Sequence, residues 1–212
     1  MEINTVAGAA LAEVDEVEAA KLLLVLTHGA GGGVGSPDLL AARRAGLDAG
    51  ATVVRVLQPY RVGGAKAPGS ANKQDAAWLE VIGVLKQRYS GVPLVQGGRS
   101  NGARLACRTA REAGAAGVVA LAFPLHPPGK AADPDRSRAP ELRAAGVPVL
   151  VINGDRDPFG VPDAADVDRL VVLPGQAHAL SRGADSITAA VADWLPGVLA
   201  PRVPAGPGGR TA

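Results

Sequence analysis

The sequence predicts an α/β fold, a doubly wound and mostly parallel sheet with helices on both faces. Three observations predict it. Short, nearly continuous runs of Val and Leu at 22–26, 52–57, 93–95, 118–123, 147–152 and 170–173 read as parallel strands buried on both faces. Helical patterns fill most of the gaps between them, giving a β-α alternation. Residues with reactive side chains gather just after the predicted strands, where open α/β sheets carry their sites: His28, Ser100, His126, Asp155, Asp157 and His178.

Each element has its own justification. Residues 5–17 alternate weakly and are expected to form an antiparallel edge strand or hairpin. Ser36-Pro37-Asp38 opens a helix running to about residue 46, with serine as N-cap and proline at the first helical position. Residues 72–89 place Ala76, Leu79, Ile82 and Leu85 at a spacing near three, an amphipathic helix. A further helix covers 100–113, and two more are expected at 138–146 and 181–199. The organisation expected is one domain over residues 1–200. The Pro/Gly-rich residues 201–212 are expected to form a disordered tail.

With 212 residues, 47% apolar and 20% charged, the chain is long enough for a substantial core. A net charge of +2, spread without a basic block, argues against partners such as nucleic acid or an anionic membrane surface. The one cysteine, Cys107, permits no internal disulfide and no metal-site spacing. No secretory signal and no membrane span are read, so a cytoplasmic location is expected.

The densest signal is Gln96-Gly97-Gly98-Arg99-Ser100-Asn101-Gly102-Ala103-Arg104, a G-x-S-x-G arrangement between a predicted strand and a predicted helix. A serine on such a sharp strand-to-helix turn projects clear of the sheet, and a Cβ two residues to either side would collide with neighbouring elements. A serine hydroxyl is a weak nucleophile and needs a base, which in turn needs an orienting carboxylate. His178 follows the last strand and is the only histidine downstream of the acidic loop, so it is assigned as general base. Asp157, deeper in that loop and before Pro158, is favoured as the acid, with Asp155 second. The oxyanion donors expected are the backbone N–H of Asn101 and that of Ala30, with Gly31 as the alternative, from the loop His28-Gly29-Ala30-Gly31-Gly32-Gly33.

Rival readings fit less well. A phosphate-binding loop requires a Lys-Ser/Thr pair that Gly35-Ser36-Pro37 lacks, and a dinucleotide fingerprint started at Gly29 or Gly31 meets Val34 or Ser36 at its sixth position. Asp155-x-Asp157-x-Phe159-Gly160 with Asp166 imitates part of a calcium loop, but phenylalanine stands at position 5 and the segment follows a strand. No cofactor and no metal are expected. Arg104, Arg108 and Arg111 form a helix stripe read as solvated or salt-bridged, and Cys107 is read as a small core residue.

The chain resembles the α/β-hydrolase-like domain shared by a testis-expressed protein and a subunit of the non-specific-lethal chromatin complex, with bacterial relatives near the dienelactone hydrolases. The segments that carry the resemblance are His28-Gly29-Ala30-Gly31-Gly32, the elbow from Gly97 to Arg104, Phe123-Pro124-Leu125-His126-Pro127-Pro128-Gly129-Lys130, and Asn153-Gly154-Asp155-Arg156-Asp157-Pro158-Phe159-Gly160. The order Ser…Asp…His is the α/β-hydrolase order. The resemblance implies an α/β-hydrolase with little or no cap, and carries nucleophile, acid and base to Ser100, Asp157 and His178. Asn101 and Ala103 depart from the family's Ser-Met-Gly-Gly-Arg. Two functions are expected from it. One is a serine hydrolase of carboxylic esters or thioesters of small acids, whose partner is a small-molecule ester. The alternative is a non-catalytic binding or scaffolding domain. With only about 20 residues between Phe123 and Val147, an open, shallow pocket is expected, and His126 with Lys130 either lines its rim or is braced there by Pro127-Pro128.

Overall fold

A computed structural model describes residues 1–129 and 133–199. Eight strands form one sheet: β1 (Glu2–Thr5), β2 (Gly8–Asp15), β3 (Leu22–Thr27), β4 (Ala51–Leu57), β5 (Leu94–Arg99), β6 (Gly117–Leu121), β7 (Val149–Gly154) and β8 (Arg169–Leu173). Their spatial order is β1-β2-β4-β3-β5-β6-β7-β8. β1 and β2 pair antiparallel, as do β2 and β4, and every later pairing is parallel. Among the described residues the α-helices are α1 (Pro37–Asp48), α2 (Pro59–Val62), α3 (Ala71–Arg88), α4 (Asn101–Ala113), α5 (Ala139–Arg143) and α6 (Ala184–Leu199).

The continuous apolar runs are explained by their position. Every residue of β3, β6 and β7 is buried, because helices cover both sheet faces. On one face, Trp78, Val81 and Leu85 of α3 and Leu105 and Ala106 of α4 pack on Val25, Val54 and Val118. On the other, Leu39 and Ala42 of α1 and Val191, Trp194 and Leu195 of α6 pack on Leu24, Val95 and Leu150. Trp78 is fully enclosed and donates its indole N–H to Gln96 Oε1 at 3.0 Å, which satisfies a buried amide inside β5.

Several elements differ from expectation at their ends. The N-terminal hairpin begins earlier, with Glu2–Thr5 as its own edge strand. Ser36 occupies the N-cap position of α1, but its hydroxyl makes no cap bond. The expected strand 118–123 stops at Leu121, since Ala122 turns to φ 47° and donates its N–H to Ile152 O. The helix expected at 138–146 is only five residues long, and Gly146 beyond it has φ 70°. The last helix starts at Ala184 rather than 181, because residues 180–183 form a turn closed by Gly183 N–H to Leu180 O. The four-residue α2 has no counterpart in the sequence reading. Between β6 and β7 the described residues carry only a 3-10 turn and α5. The proposed tail, 201–212, lies outside the described residues.

Candidate active site

The turn at Ser100 is built by close backbone approach. Ser100 joins β5 to α4 at φ 52° and ψ −114°, a strained conformation for a residue with a Cβ. Its N–H is held by Leu121 O at 2.9 Å. A Cβ on Gly98 would stand 2.6 Å from Thr27 O, and one on Gly102 would stand 2.7 Å from both Thr27 O and His28 O. Any side chain there would push β5 and α4 away from the end of β3.

Asp157 and His178 arrive from adjacent strands. Asp157 follows β7 and His178 follows β8. Gly154 lets the two loops cross, because a Cβ there would fall 2.0 Å from Gln176 O. The Arg156 N–H then bonds that same Gln176 oxygen at 3.0 Å. His178 Nε2 lies 2.9 Å from Ser100 Oγ, and His178 Nδ1 lies 2.8 Å from Asp157 Oδ2. Asp157 Oδ1 accepts from the Phe159 N–H at 2.9 Å, and the Phe159 ring meets the imidazole edge-on at 4.5 Å between centroids. The Asp157 carboxylate is fully enclosed, whereas Asp155 is exposed. With Nδ1–H donating to Asp157, Nε2 is free to take the serine proton.

The glycine loop after β3 lies against the elbow, with a Cβ on Gly29 placed 3.1 Å from Ser100 Cβ. His28 is buried and orders this loop. Its Nε2 accepts from the Gln58 N–H at 2.9 Å, so its Nδ1 carries the proton and donates to Gly29 O at 2.8 Å. Burial pushes His28 below the usual histidine value, which favours this neutral form. Gly29 O also accepts from the Gly32 N–H at 3.1 Å. In a planar trans peptide the next N–H points opposite to the carbonyl. With Gly29 O held toward His28, the Ala30 N–H faces the other way. The Asn101 N–H belongs to the first turn of α4 and has no acceptor within the helix.

Arg99 is a site residue that sequence reasoning missed. Its Nε lies 2.8 Å from Oδ2 of the wholly buried Asp38 of α1, and its Nη2 donates to His178 O at 3.0 Å. Nothing in the sequence links positions 38, 99 and 178. Gln74 is also unexpected: its Oε1 accepts from Asn101 Nδ2 at 2.8 Å. His126 is buried beside the acid loop, its N–H bonded to Phe159 O and its Nδ1 3.1 Å from where a Gly160 Cβ would stand. Lys130 lies outside the described residues. In the arginine stripe, Arg104 pairs with Glu141 at 2.5 Å and Arg108 with Asp75 at 2.6 Å, while Arg111 is exposed. Cys107 is buried, and burial pushes its thiol far up. Among the described residues, no group of three or more His, Cys, Asp or Glu is placed to hold a metal ion. No described helix is long and apolar enough to cross a membrane.

A protein family described as an alpha/beta hydrolase domain matches residues 20–185, and the chain belongs to that family. No curated protein matches it. Among solved structures, Est1E from Butyrivibrio proteoclasticus superposes with a TM-score of 0.77 at 18% identity, covering 95% of this chain and 99% of that one. An α/β serine hydrolase without a lid from Xanthomonas campestris gives 0.73 at 21% identity, over 98% and 95% of the two chains. A dienelactone hydrolase from Anabaena variabilis gives 0.72 at 15% identity, over 93% and 95%. The sheet is thus an α/β-hydrolase sheet.

Proposed function

We propose that the protein is a serine hydrolase of carboxylic esters or thioesters, working through an acyl-enzyme. The observation that carries this reading is the unbroken chain of contacts from Asp157 Oδ2 through His178 to Ser100 Oγ, at 2.8 and 2.9 Å. In the reaction, Ser100 Oγ attacks the substrate carbonyl carbon while His178 Nε2 takes the hydroxyl proton. Asp157 holds the imidazole in the required tautomer and stabilises its cation. The negative charge formed on the carbonyl oxygen is met by the N–H groups of Asn101 and Ala30, preorganised by the α4 terminus and by the His28-anchored peptide. The C–O or C–S bond then breaks, and the leaving group departs with the proton from His178. A water, deprotonated by His178, attacks the acyl carbon, and collapse of the second tetrahedral intermediate returns Ser100 and releases the acid.

The alternative of a non-catalytic scaffold gains no support from this geometry. A scaffold does not require a serine in a strained turn aligned with a histidine and an enclosed carboxylate. The test is turnover of a p-nitrophenyl ester by the wild type and by Ser100→Ala. Loss of turnover in a variant with unchanged thermal unfolding is the expected result. Equal turnover by the two proteins contradicts the nucleophile assignment.

A further inference from the structure

β7 carries a polar residue where its pattern calls for another valine. Val149 and Val151 belong to the cluster packed under α3 and α4. A strand returns every second residue to the same face, so Asn153 continues that apolar row. Asn153 is wholly buried. A buried amide costs free energy unless its donors and acceptor are matched, and its partners here lead to Asp157. Oδ1 accepts from the Phe123 N–H at 2.8 Å, which fixes the amide orientation and turns Nδ2 toward oxygens alone. One Nδ2 hydrogen goes to Phe123 O at 3.0 Å. The other is shared between Asp157 Oδ2 at 3.5 Å and Gly160 O at 3.4 Å.

Asp157 Oδ2 is the oxygen that meets His178 Nδ1, and the carboxylate is enclosed. Among the described residues, its donors are His178 Nδ1, the Phe159 N–H and Asn153 Nδ2. Asn153 is thus the one side chain besides His178 that bonds it. The bonds to Phe123 have a second effect. β6 ends at Leu121 and the chain turns at Ala122, so the Asn153 amide takes the place of a strand neighbour for both main-chain groups of Phe123. Phe123 begins the connection whose His126 N–H holds Phe159 O. The turn from Asp157 to Gly160 is closed by the Gly160 N–H on Asp157 O at 3.0 Å. One amide therefore ties the end of β6 to both ends of that turn.

We propose that Asn153 is a positioning residue that acts on the reaction through Asp157: it holds the carboxylate oxygen against His178 Nδ1 and so keeps the imidazole aimed at Ser100. The assignment rests on the serine hydrolase reading. An N–H held at an enclosed oxygen limits rotation of the carboxylate, and a misplacement of about 1 Å among catalytic groups can cost about a hundredfold in rate. A third valine on this face would continue the core, but it would leave the Phe123 N–H and O and one side of Asp157 without partners.

The test is a double-mutant cycle read from the rate of fluorophosphonate labelling of Ser100. Asn153→Leu replaces the amide with an apolar side chain of similar size, and Asn153→Val serves as a second variant. Each is made in the wild type and in Asp157→Asn, and each is checked for folding by circular dichroism and thermal unfolding. With Asp157 present, the expected loss is about tenfold or more. In the Asp157→Asn background it shrinks to under about twofold, because a residue that acts through another has nothing left to act on. Equal losses in the two backgrounds, an undiminished rate in a folded Asn153 variant, or failure of both variants to fold each overturns the positioning assignment and leaves the serine hydrolase reading intact. A wild type that does not label overturns both.

Discussion

Arg99 Nη2 donates to the main-chain oxygen of His178 at 3.0 Å, so the residue before Ser100 holds the loop that carries His178. The guanidinium is anchored at its other side by Asp38, which is 0% exposed. One side chain thereby ties the start of α1, the end of β5 and the β8–α6 loop. The tie links the turn that bears Ser100 to the loop that bears His178. Arg99→Lys keeps the charge but loses the planar fork, and one ammonium cannot reproduce both contacts. The expected outcome is a fall in kcat of about tenfold or more with little change in KM, since misplaced catalytic groups lose rate even when substrate still binds. Steady-state kinetics on two esters would show it, and an equal loss of kcat and rise of KM would contradict a positioning role.

Asp38→Asn is expected to act on stability instead. Removing one partner of a buried ion pair leaves the other charge uncompensated, at a cost of about 3 kcal/mol. Urea unfolding of the variant measures this directly, and a change under about 0.5 kcal/mol would show that Asp38 does not hold Arg99.

Asp157→Asn is expected to lower kcat by about four orders of magnitude, the scale found when a triad aspartate can no longer fix the histidine tautomer. Asp155→Asn, at an exposed carboxylate, is expected to lose less than about twofold. The two substitutions differ by one position on each side of Arg156, which makes the comparison sharp. The reverse ranking would move the acid to Asp155.

His178→Gln is expected to lower the rate by about 10²–10⁴-fold and to remove the fall in activity on acidification, because glutamine neither takes the serine proton nor becomes cationic. His126→Gln keeps that acid limb, since His126 packs against the acid loop rather than on Ser100. If instead His126→Gln removed the limb and His178→Gln kept it, the base would lie on the β6–β7 connection.

His28 gives a pH effect on folding rather than on chemistry. Burial lowers its folded-state value, so the unfolded chain binds the proton more readily. Stability is therefore full above the unfolded value of about 6.5 and falls as pH drops below it toward the lower folded value. His28→Gln removes this component. Its melting temperature is expected to decline less than that of the wild type between pH 7.5 and 5. A parallel decline in both proteins would show that His28 contributes none of the pH dependence.

The elbow, the acid loop and the last histidine were legible because each rests on local chemistry: flanking glycines at the serine, a strand followed by aspartates, and a histidine beyond the last apolar run. The parallel strands were legible because burial on both faces leaves continuous Val and Leu. The support of the proposed oxyanion site was only half visible. His28-Gly29-Ala30 marks the loop, but the bond from the Gln58 N–H that sets the His28 tautomer spans 30 residues and no local pattern encodes it. Arg99 looked like an arbitrary x of G-x-S-x-G, since its partners, Asp38 and His178, are remote in sequence. Residues 58–70 resisted reading for a different reason. Their Pro, Gly and Ala composition carries no periodicity, and their fold is set by bonds such as Arg61 to Gly32 and Ala65.

Ser100 is proposed as a nucleophile activated by His178, and fluorophosphonate labelling of the intact protein tests that assignment. Intact-mass and peptide spectra of the wild type should show one phosphonyl adduct, placed on Ser100. Ser100→Ala should show none, and His178→Gln should label far more slowly. An unlabelled wild type, or an adduct on any residue other than Ser100, would contradict the assignment of Ser100.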